Sequence, residues 1–447
     1  MGHCRRFFGA QKQTASLQKR RASHVKAQAK TVDRIDTASQ TSLKVPFFRP
    51  EIGSAEEAEV LAVLRSGWLT TGPRVREFEA AFADTVGARH AVAVNSATAA
   101  LHLAVEALGL GASSTRRAVL VPTMTFAATA EIVRYMNAVP ILVDCDRSTL
   151  NIDIGDAEQK LSQAANGMLP TIGSVDVVGI IPVHVGGVMA DMEQLHEFSA
   201  AHRLWVVEDA AHAFPAAWRR TADEEWTSCG HDTSAVTCFS FYANKTITTG
   251  EGGMAVTADR RLADRMRLMS LHGLSRDAWN RYESGGSWDY QIVEPGMKYN
   301  LTDICAAIGI AQLRRSESMR EARELLAMRY TTALSDIPEI ELPLFSDNRL
   351  HAWHLYPIRL RLNQLKINRN QFIEQLQRAD IGCSVHWRPL HLHPYYRANF
   401  GWTAAQFPIA SREWERLISL PLFPSMTVDE QALVIDAVAE ICAANRA

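Results

Sequence analysis

Apolar and polar positions alternate along this chain in two distinct patterns. Short runs rich in Val, Ile and Ala, at residues 90–94, 119–121, 139–143, 177–182, 204–208 and 235–241, have the length and β-branched character of buried strands. Between them, residues 98–108, 127–136 and 191–201 repeat their apolar positions at helical spacing. Strands buried on both faces and separated by helices predict an α/β fold with a mainly parallel sheet sandwiched by helices. Upstream, Ser54-Ala-Glu-Glu57 reads as a capping box that opens an amphipathic helix with Val60, Leu61 and Leu64 on one side. Gly67 ends that helix, and the turn-rich Trp68-Leu-Thr-Thr-Gly-Pro73 follows.

Beyond about residue 295 the pattern changes. A long helical region over 302–334 precedes an alternating strand at 353–360. A helix at 368–379, a strand at 381–385 and helices near 411–418 and 428–444 complete a smaller α+β domain. The expected organisation is a leader over 1–44, a large domain over 45–295 and a small C-terminal domain over 296–447.

Composition narrows the class. Hydrophobic residues make up 47 % of the 447 and charged residues 21 %, ordinary values for a globular protein with a sizeable core. Forty-seven basic against forty-nine acidic residues give a net charge of −2, with no bulk attraction to nucleic acid or an anionic membrane. The charge is uneven, because residues 1–44 hold ten Lys or Arg against two Asp. That segment reads as a disordered basic leader, with an organelle transit peptide as the alternative. No charge-free run reaches transmembrane length. Seven scattered cysteines without a CxxC pair read as reduced thiols in a cytoplasmic enzyme.

Parallel sheets present their ligands at the carboxyl ends of the strands, so the residues after each run carry the chemistry. The first run ends in Asn95-Ser-Ala-Thr98 and leads straight into a helix. Small hydroxyl residues there expose backbone N–H groups and the positive helix end to a phosphate, or they simply cap the helix. Asp209 follows the run at 204–208, where a carboxylate is costly unless it meets a cation, such as a protonated pyridine nitrogen, or caps the next helix. Lys245 follows the run at 235–241 in a segment rich in hydroxyls and glycine. Desolvation there would lower its pKa and make it a nucleophile for a carbonyl; on the open surface it would be an ordinary lysine. Cradle, carboxylate and lysine in this chain order describe a pyridoxal phosphate (PLP) site. Gly109-Leu-Gly111 follows a helix and lacks the third glycine of a dinucleotide fingerprint, and no metal site is expected.

From about Val45 to the C-terminus the chain resembles the DegT–StrS family of PLP-dependent sugar aminotransferases, within the fold-type I aspartate aminotransferase superfamily. The resemblance is carried by Ser66-Gly-Trp-Leu-Thr-Thr-Gly-Pro73, Ser96-Ala-Thr98, Pro122-Thr-Met-Thr-Phe126, Pro182-Val-His184, Glu208-Asp-Ala-Ala-His212, Phe239-Ser-Phe241, Lys245 and Gly250-Glu-Gly-Gly253. Gly296-Met-Lys-Tyr-Asn-Leu-Thr-Asp303 and Ser384-Val-His-Trp-Arg-Pro-Leu-His391 extend it into the small domain. It implies a seven-stranded type of sheet, with Lys245 as the Schiff-base lysine and Asp209 on the pyridine nitrogen. Phe126 would stack on the ring, while Ser96, Ala97, Thr98 and Ser240 hold the phosphate. His212 stands where many members have Gln and would bond the phenolic oxygen. Lys298 and Asn300 would reach the phosphate of the partner in a homodimer, although many members carry a different sequence there. Thr71, His184 and His386 would face the substrate, and His391-Leu-His393 lies near the sugar or is structural.

The implied activity is transfer of an amino group from an amino acid, with glutamate expected, to a nucleotide-linked keto sugar, serving amino-sugar or polysaccharide biosynthesis. The alternatives are a PLP-dependent sugar dehydratase, in which by resemblance His replaces the lysine, and a PLP-binding regulator without turnover. Lys245 argues against the first, and the intact set of Lys245, Asp209 and Ser240 against the second.

Overall fold

Seven strands build the central sheet, in the order β1-β9-β8-β5-β4-β2-β3. They are β1 (His90–Val94), β2 (Arg117–Pro122), β3 (Val139–Val143), β4 (Asp176–Ile180), β5 (Trp205–Asp209), β8 (Val236–Ser240) and β9 (Gly253–Thr257). The computed structural model describes residues 43–113, 115–169, 171–231, 233–274 and 291–447, so the expected leader lies, but for its last two residues, outside the described part. The pairs β2–β3, β2–β4, β4–β5 and β5–β8 are parallel, and only β9 runs against its neighbours, β1 and β8. The parallel arrangement read from the apolar runs is therefore present, with β9 as the strand that the pattern did not announce.

Helices link these strands. The helices are α1 (Ser54–Ser66), α2 (Pro73–Val86), α3 (Ala97–Ala107), α4 (Ala128–Tyr135), α5 (Ile154–Ala165), α6 (Met192–His202), α7 (Arg260–Met269), α8 (Asp303–Leu313), α9 (Ser316–Leu334), α10 (Arg369–Arg378), α11 (Pro394–Phe400), α12 (Pro408–Arg416) and α13 (Val428–Ala444). The single helical region expected over 302–334 is two helices that break at Arg314 and Arg315. The first helix also differs from expectation. Its N-cap is Gly53, whose N–H donates to Glu56 at 2.8 Å, and its buried residues are Glu56 and Val63. Leu61 and Leu64 are half exposed, because α1 packs on α8 through the buried Glu56, which accepts from Gln312 and Arg315. An ion pair thus occupies the face that the apolar pattern assigned elsewhere.

Two short sheets complete the fold: β6 (Ala217–Trp218) and β7 (Thr227–Ser228) with β11 (Arg349–Leu350), and β10 (Ile340–Glu341) with β12 (Tyr356–Leu360) and β13 (Leu417–Leu420). The strand expected at 353–360 begins only at Tyr356, since Trp353 has φ +49, outside any strand conformation. The strand expected at 381–385 is reduced to two isolated bridges, Val45 to Ile381 and Ser384 to Ser419. The helix expected near 411–418 ends at Arg416, where β13 begins. One apolar cluster fills the space around the large sheet, with Phe82 in contact with Phe214, Phe239 and Phe241 at ring separations of 5.0 to 5.4 Å. A second cluster gathers Leu326, Tyr330, Phe372, Ile418, Phe423 and Val438 with Val45. The six cysteines among the described residues are free.

Candidate active site

The carboxyl ends of β1, β2, β5 and β8 converge on one edge of the sheet, and each supplies part of the site. Beyond β1, Ser96 caps α3, its oxygen accepting the Ala99 N–H at 3.1 Å. The capping reading is therefore met, and it leaves the N–H groups of Ala97 and Thr98 without an acceptor among the described residues at the positive end of the helix. Gly253 pairs with Val94 on one side and Ser240 on the other. A Cβ on it would meet the backbone of Ser96 at 2.5 Å and of Ala97 at 2.6 Å. Absence of a side chain at Gly253 is what lets the Ser96-Ala-Thr98 turn and Ser240 lie together as one cradle. Phe126, after β2, is 63 % exposed, so its ring face is open.

Asp209 ends β5 and is buried. Its Oδ2 accepts the Thr129 hydroxyl at 2.8 Å and its Oδ1 the Ala211 N–H at 3.2 Å. Burial pushes this carboxyl above its ordinary range, and the bonds from Thr129 and Ala211 and the charge of Lys245 only partly offset it. Lys245, half-buried past β8, is held down to about 8 by burial against a smaller upward pull from Asp209. A carboxylate that lacks a full cationic partner thus faces an amine that is part-neutral near pH 8. No sequence motif marks Thr129; the first turn of α4, three residues after Phe126, brings its hydroxyl to Asp209.

His212 is buried, and its Nδ1 accepts the Gly186 N–H at 3.3 Å. Burial, then the charges of Lys245 and His386, hold this imidazole well below its usual range. His386 lies 6.2 Å from His212, ring to ring, and bonds Ser419 at 2.9 Å.

His184 departs from its expected role. It is fully buried, its Nε2 bonds Glu208 at 2.8 Å, and its Nδ1 accepts the Ala190 N–H at 3.2 Å. Both nitrogens are committed within the protein, and no face is open to a substrate. Glu208 also accepts from Thr237 at 3.1 Å, and Cys229 lies against the pair. Thr71, Lys298 and Asn300 form a second group. Asn300 donates to the Thr71 hydroxyl at 2.7 Å and accepts from the Lys298 amine, and the Thr71 hydroxyl bonds the Leu301 carbonyl. His391 is structural: its ring nitrogens bond Thr123 at 2.8 Å and Ser411 at 2.9 Å.

A half-desolvated lysine and a buried carboxylate at the carboxyl edge of a mainly parallel sheet, beside an anion cradle, are the groups that enzymes pairing a lysine amine with an electron-accepting cofactor use. The chain belongs to the DegT/DnrJ/EryC1/StrS aminotransferase family, whose model matches residues 50–439. It is 42 % identical over 398 residues to the spore coat polysaccharide biosynthesis protein SpsC of Bacillus subtilis, which covers 89 % of this chain and 97 % of that one. Among solved structures, Spr1654 of Streptococcus pneumoniae in its PLP form has a TM-score of 0.78 at 29 % identity, covering 90 % of this chain and 99 % of its own. The sugar aminotransferase CalS13 of Micromonospora echinospora has a TM-score of 0.74 at 30 % identity, covering 89 % and 99 % respectively.

Proposed function

We propose that this chain is a PLP-dependent aminotransferase that moves an amino group from an amino acid, glutamate first, to a nucleotide-linked keto sugar. The observation that carries it is the Lys245–Asp209 pair beside the cradle. The donor set fits PLP: backbone amides and the Ser240 hydroxyl for a phosphate, the open Phe126 ring for a planar face, Asp209 for a pyridine nitrogen, and Lys245 for an aldehyde. When bound, PLP supplies a carbonyl for amines and a ring that takes up charge from the reacting carbon. Lys245 Nζ then accepts and returns the substrate proton, a task suited to an amine held near 8. Asp209, braced by Thr129, holds its carboxylate toward the ring nitrogen. His212 offers a donor to the phenolic oxygen.

His386 and Thr71 remain assigned to the sugar substrate, and Lys298 and Asn300 to the phosphate of a partner in a homodimer. His184 is assigned instead to holding Glu208 at the end of β5. The division into 45–295 and 296–447, and a cytoplasmic location, are kept with this reading. No helix among the described residues is long and apolar enough to cross a membrane. Similarity to SpsC and CalS13 supports a sugar acceptor and polysaccharide or amino-sugar biosynthesis.

The test is to load the full chain with PLP, add glutamate and follow the absorbance band of the lysine-bound cofactor, then offer nucleotide-linked keto sugars with mass detection. Bleaching of the band and a product bearing a new amine are expected. A band that persists with every amino acid offered overturns the assignment.

A further inference from the structure

His212 sits between two rings. Its imidazole lies 4.2 Å from the His354 ring, which is tilted 54° to it, and stacks on Trp387 at 4.8 Å, within 26° of parallel. Its Nδ1 accepts from Gly186 N–H at 3.3 Å. A ring nitrogen that accepts an amide proton is itself unprotonated, so the neutral imidazole carries its proton on Nε2. Rotation of the ring by half a turn would present a carbon to Gly186 and lose that bond.

The turn that makes this contact is held from the C-terminal part of the chain. Ala352 N–H donates to the Gly187 carbonyl at 2.9 Å and Leu355 N–H to the Gly186 carbonyl at 3.0 Å. Gly187 has φ +106, and a Cβ on it would meet Ala352 Cβ, the His212 carbonyl and the His354 amide, each at 3.1 Å. Between these anchors Trp353 takes a left-handed φ of +49, rare for an aromatic residue. It is fixed there by His351, which accepts its N–H at 2.7 Å and stacks on it at 3.9 Å, and by Arg323, which donates to its carbonyl at 3.3 Å. His354 follows directly, 4 % exposed, with a hydrogen-bond partner at neither ring nitrogen among the described residues. An imidazole buried in that way contributes through the packing of its ring, not through its nitrogens.

We propose that His354 is a positioning residue for His212: together with the 352–355 clamp on the 186–187 turn, its tilted ring packs against His212 and locks it as a neutral imidazole whose proton sits on Nε2, the one nitrogen left to donate to a ligand. The charged and titratable groups that face His212 are Lys245, His386 and His354, and burial with these neighbours keeps both imidazoles uncharged. That the ligand is the phenolic oxygen of PLP rests on the function proposed above; the tautomer does not.

The test is nitrogen NMR of the full chain labelled in its histidines, first without and then with added PLP. In the wild type, His212 is expected to show an accepting Nδ1 and a protonated Nε2 as a single species before PLP is added, and the Nε2 signal is expected to shift on addition. His354→Phe keeps a flat ring and is expected to keep that species. His354→Ala removes the ring, and a second tautomer of His212 is expected. A protonated Nδ1 in the wild type overturns the proposal, as does an unchanged single species in folded His354→Ala, or loss of the species in His354→Phe. Should His354→Ala not fold, the other two samples decide. An unchanged Nε2 signal with PLP added, over an intact tautomer, counts against the cofactor reading alone.

Discussion

On the function proposed above, Lys245 and Asp209 set the chemistry through their mutual charge. Lys245→Ala is expected to abolish the absorbance band of the lysine-bound cofactor and nearly all turnover while the chain stays folded; measurable transamination by that variant counts against the assignment. Asp209→Asn is expected to retain PLP but lower kcat about a thousandfold, roughly 4 kcal/mol of barrier, because an amide does not offset a cationic ring nitrogen. A fall of less than about tenfold in steady-state kinetics would reduce Asp209 to a structural cap. The same pair makes a pH prediction. Free Lys245 turns reactive as pH rises through about 8, where its amine loses its proton. Asp209 pulls that value upward, so its neutralisation is expected to move the midpoint of amine acylation to lower pH. A midpoint that stays put, or climbs, in Asp209→Asn contradicts the coupling. Glycine, hydroxyl and charge at the strand ends made this pair legible in the sequence. Thr129 was not legible, since only the approach of α4 to β5 brings its hydroxyl to Asp209.

Elements fix where these residues stand. The cradle depends on β9 passing between β1 and β8 with nothing on Gly253. In Gly253→Ala the new methyl would lie 2.5 Å from the Ser96 backbone, and backbone moves only by disturbing the cap of α3. PLP affinity is expected to fall at least tenfold in an absorbance titration, with a loss of thermal stability; unchanged affinity would place the phosphate elsewhere. The start of α2 shows a different dependence. The buried carboxylate of Asp303 accepts the Arg74 and Val75 amides at 3.2 and 3.1 Å, so a residue of α8 caps α2 from a distance. Removing such a cap costs about 0.5–2 kcal/mol, and Asp303→Ala is expected to lose that much in denaturant unfolding. Element types were readable where apolar periodicity was strong: residues 90–94, 139–143 and 428–444 coincide with β1, β3 and α13. They were misread where a tertiary contact replaced the apolar face, as with Glu56 on α1, or where backbone conformation overrode alternation, as at Trp353.

At the scale of the whole molecule, the proposed homodimer makes one further prediction. If Lys298 serves the partner's phosphate, mixing inactive Lys245→Ala chains with inactive Lys298→Ala chains is expected to restore partial activity, since one hybrid site then holds both intact residues. Confirmed exchange of labelled chains without recovery would leave the phosphate to a single chain. The linear order of residues already determined the parallel sheet, the strand ends that bear Ser96, Asp209 and Lys245, and the family, because each of these depends on local periodicity and short motifs. Only the tertiary structure decided the roles that depend on burial and on contacts between distant segments. It turned His184 inward onto Glu208, gathered Thr71 with Asn300, and brought His354 from beyond residue 350 against the ring of His212. A side chain's type is written in the sequence, but whether it meets water, a ligand or another side chain is settled by packing.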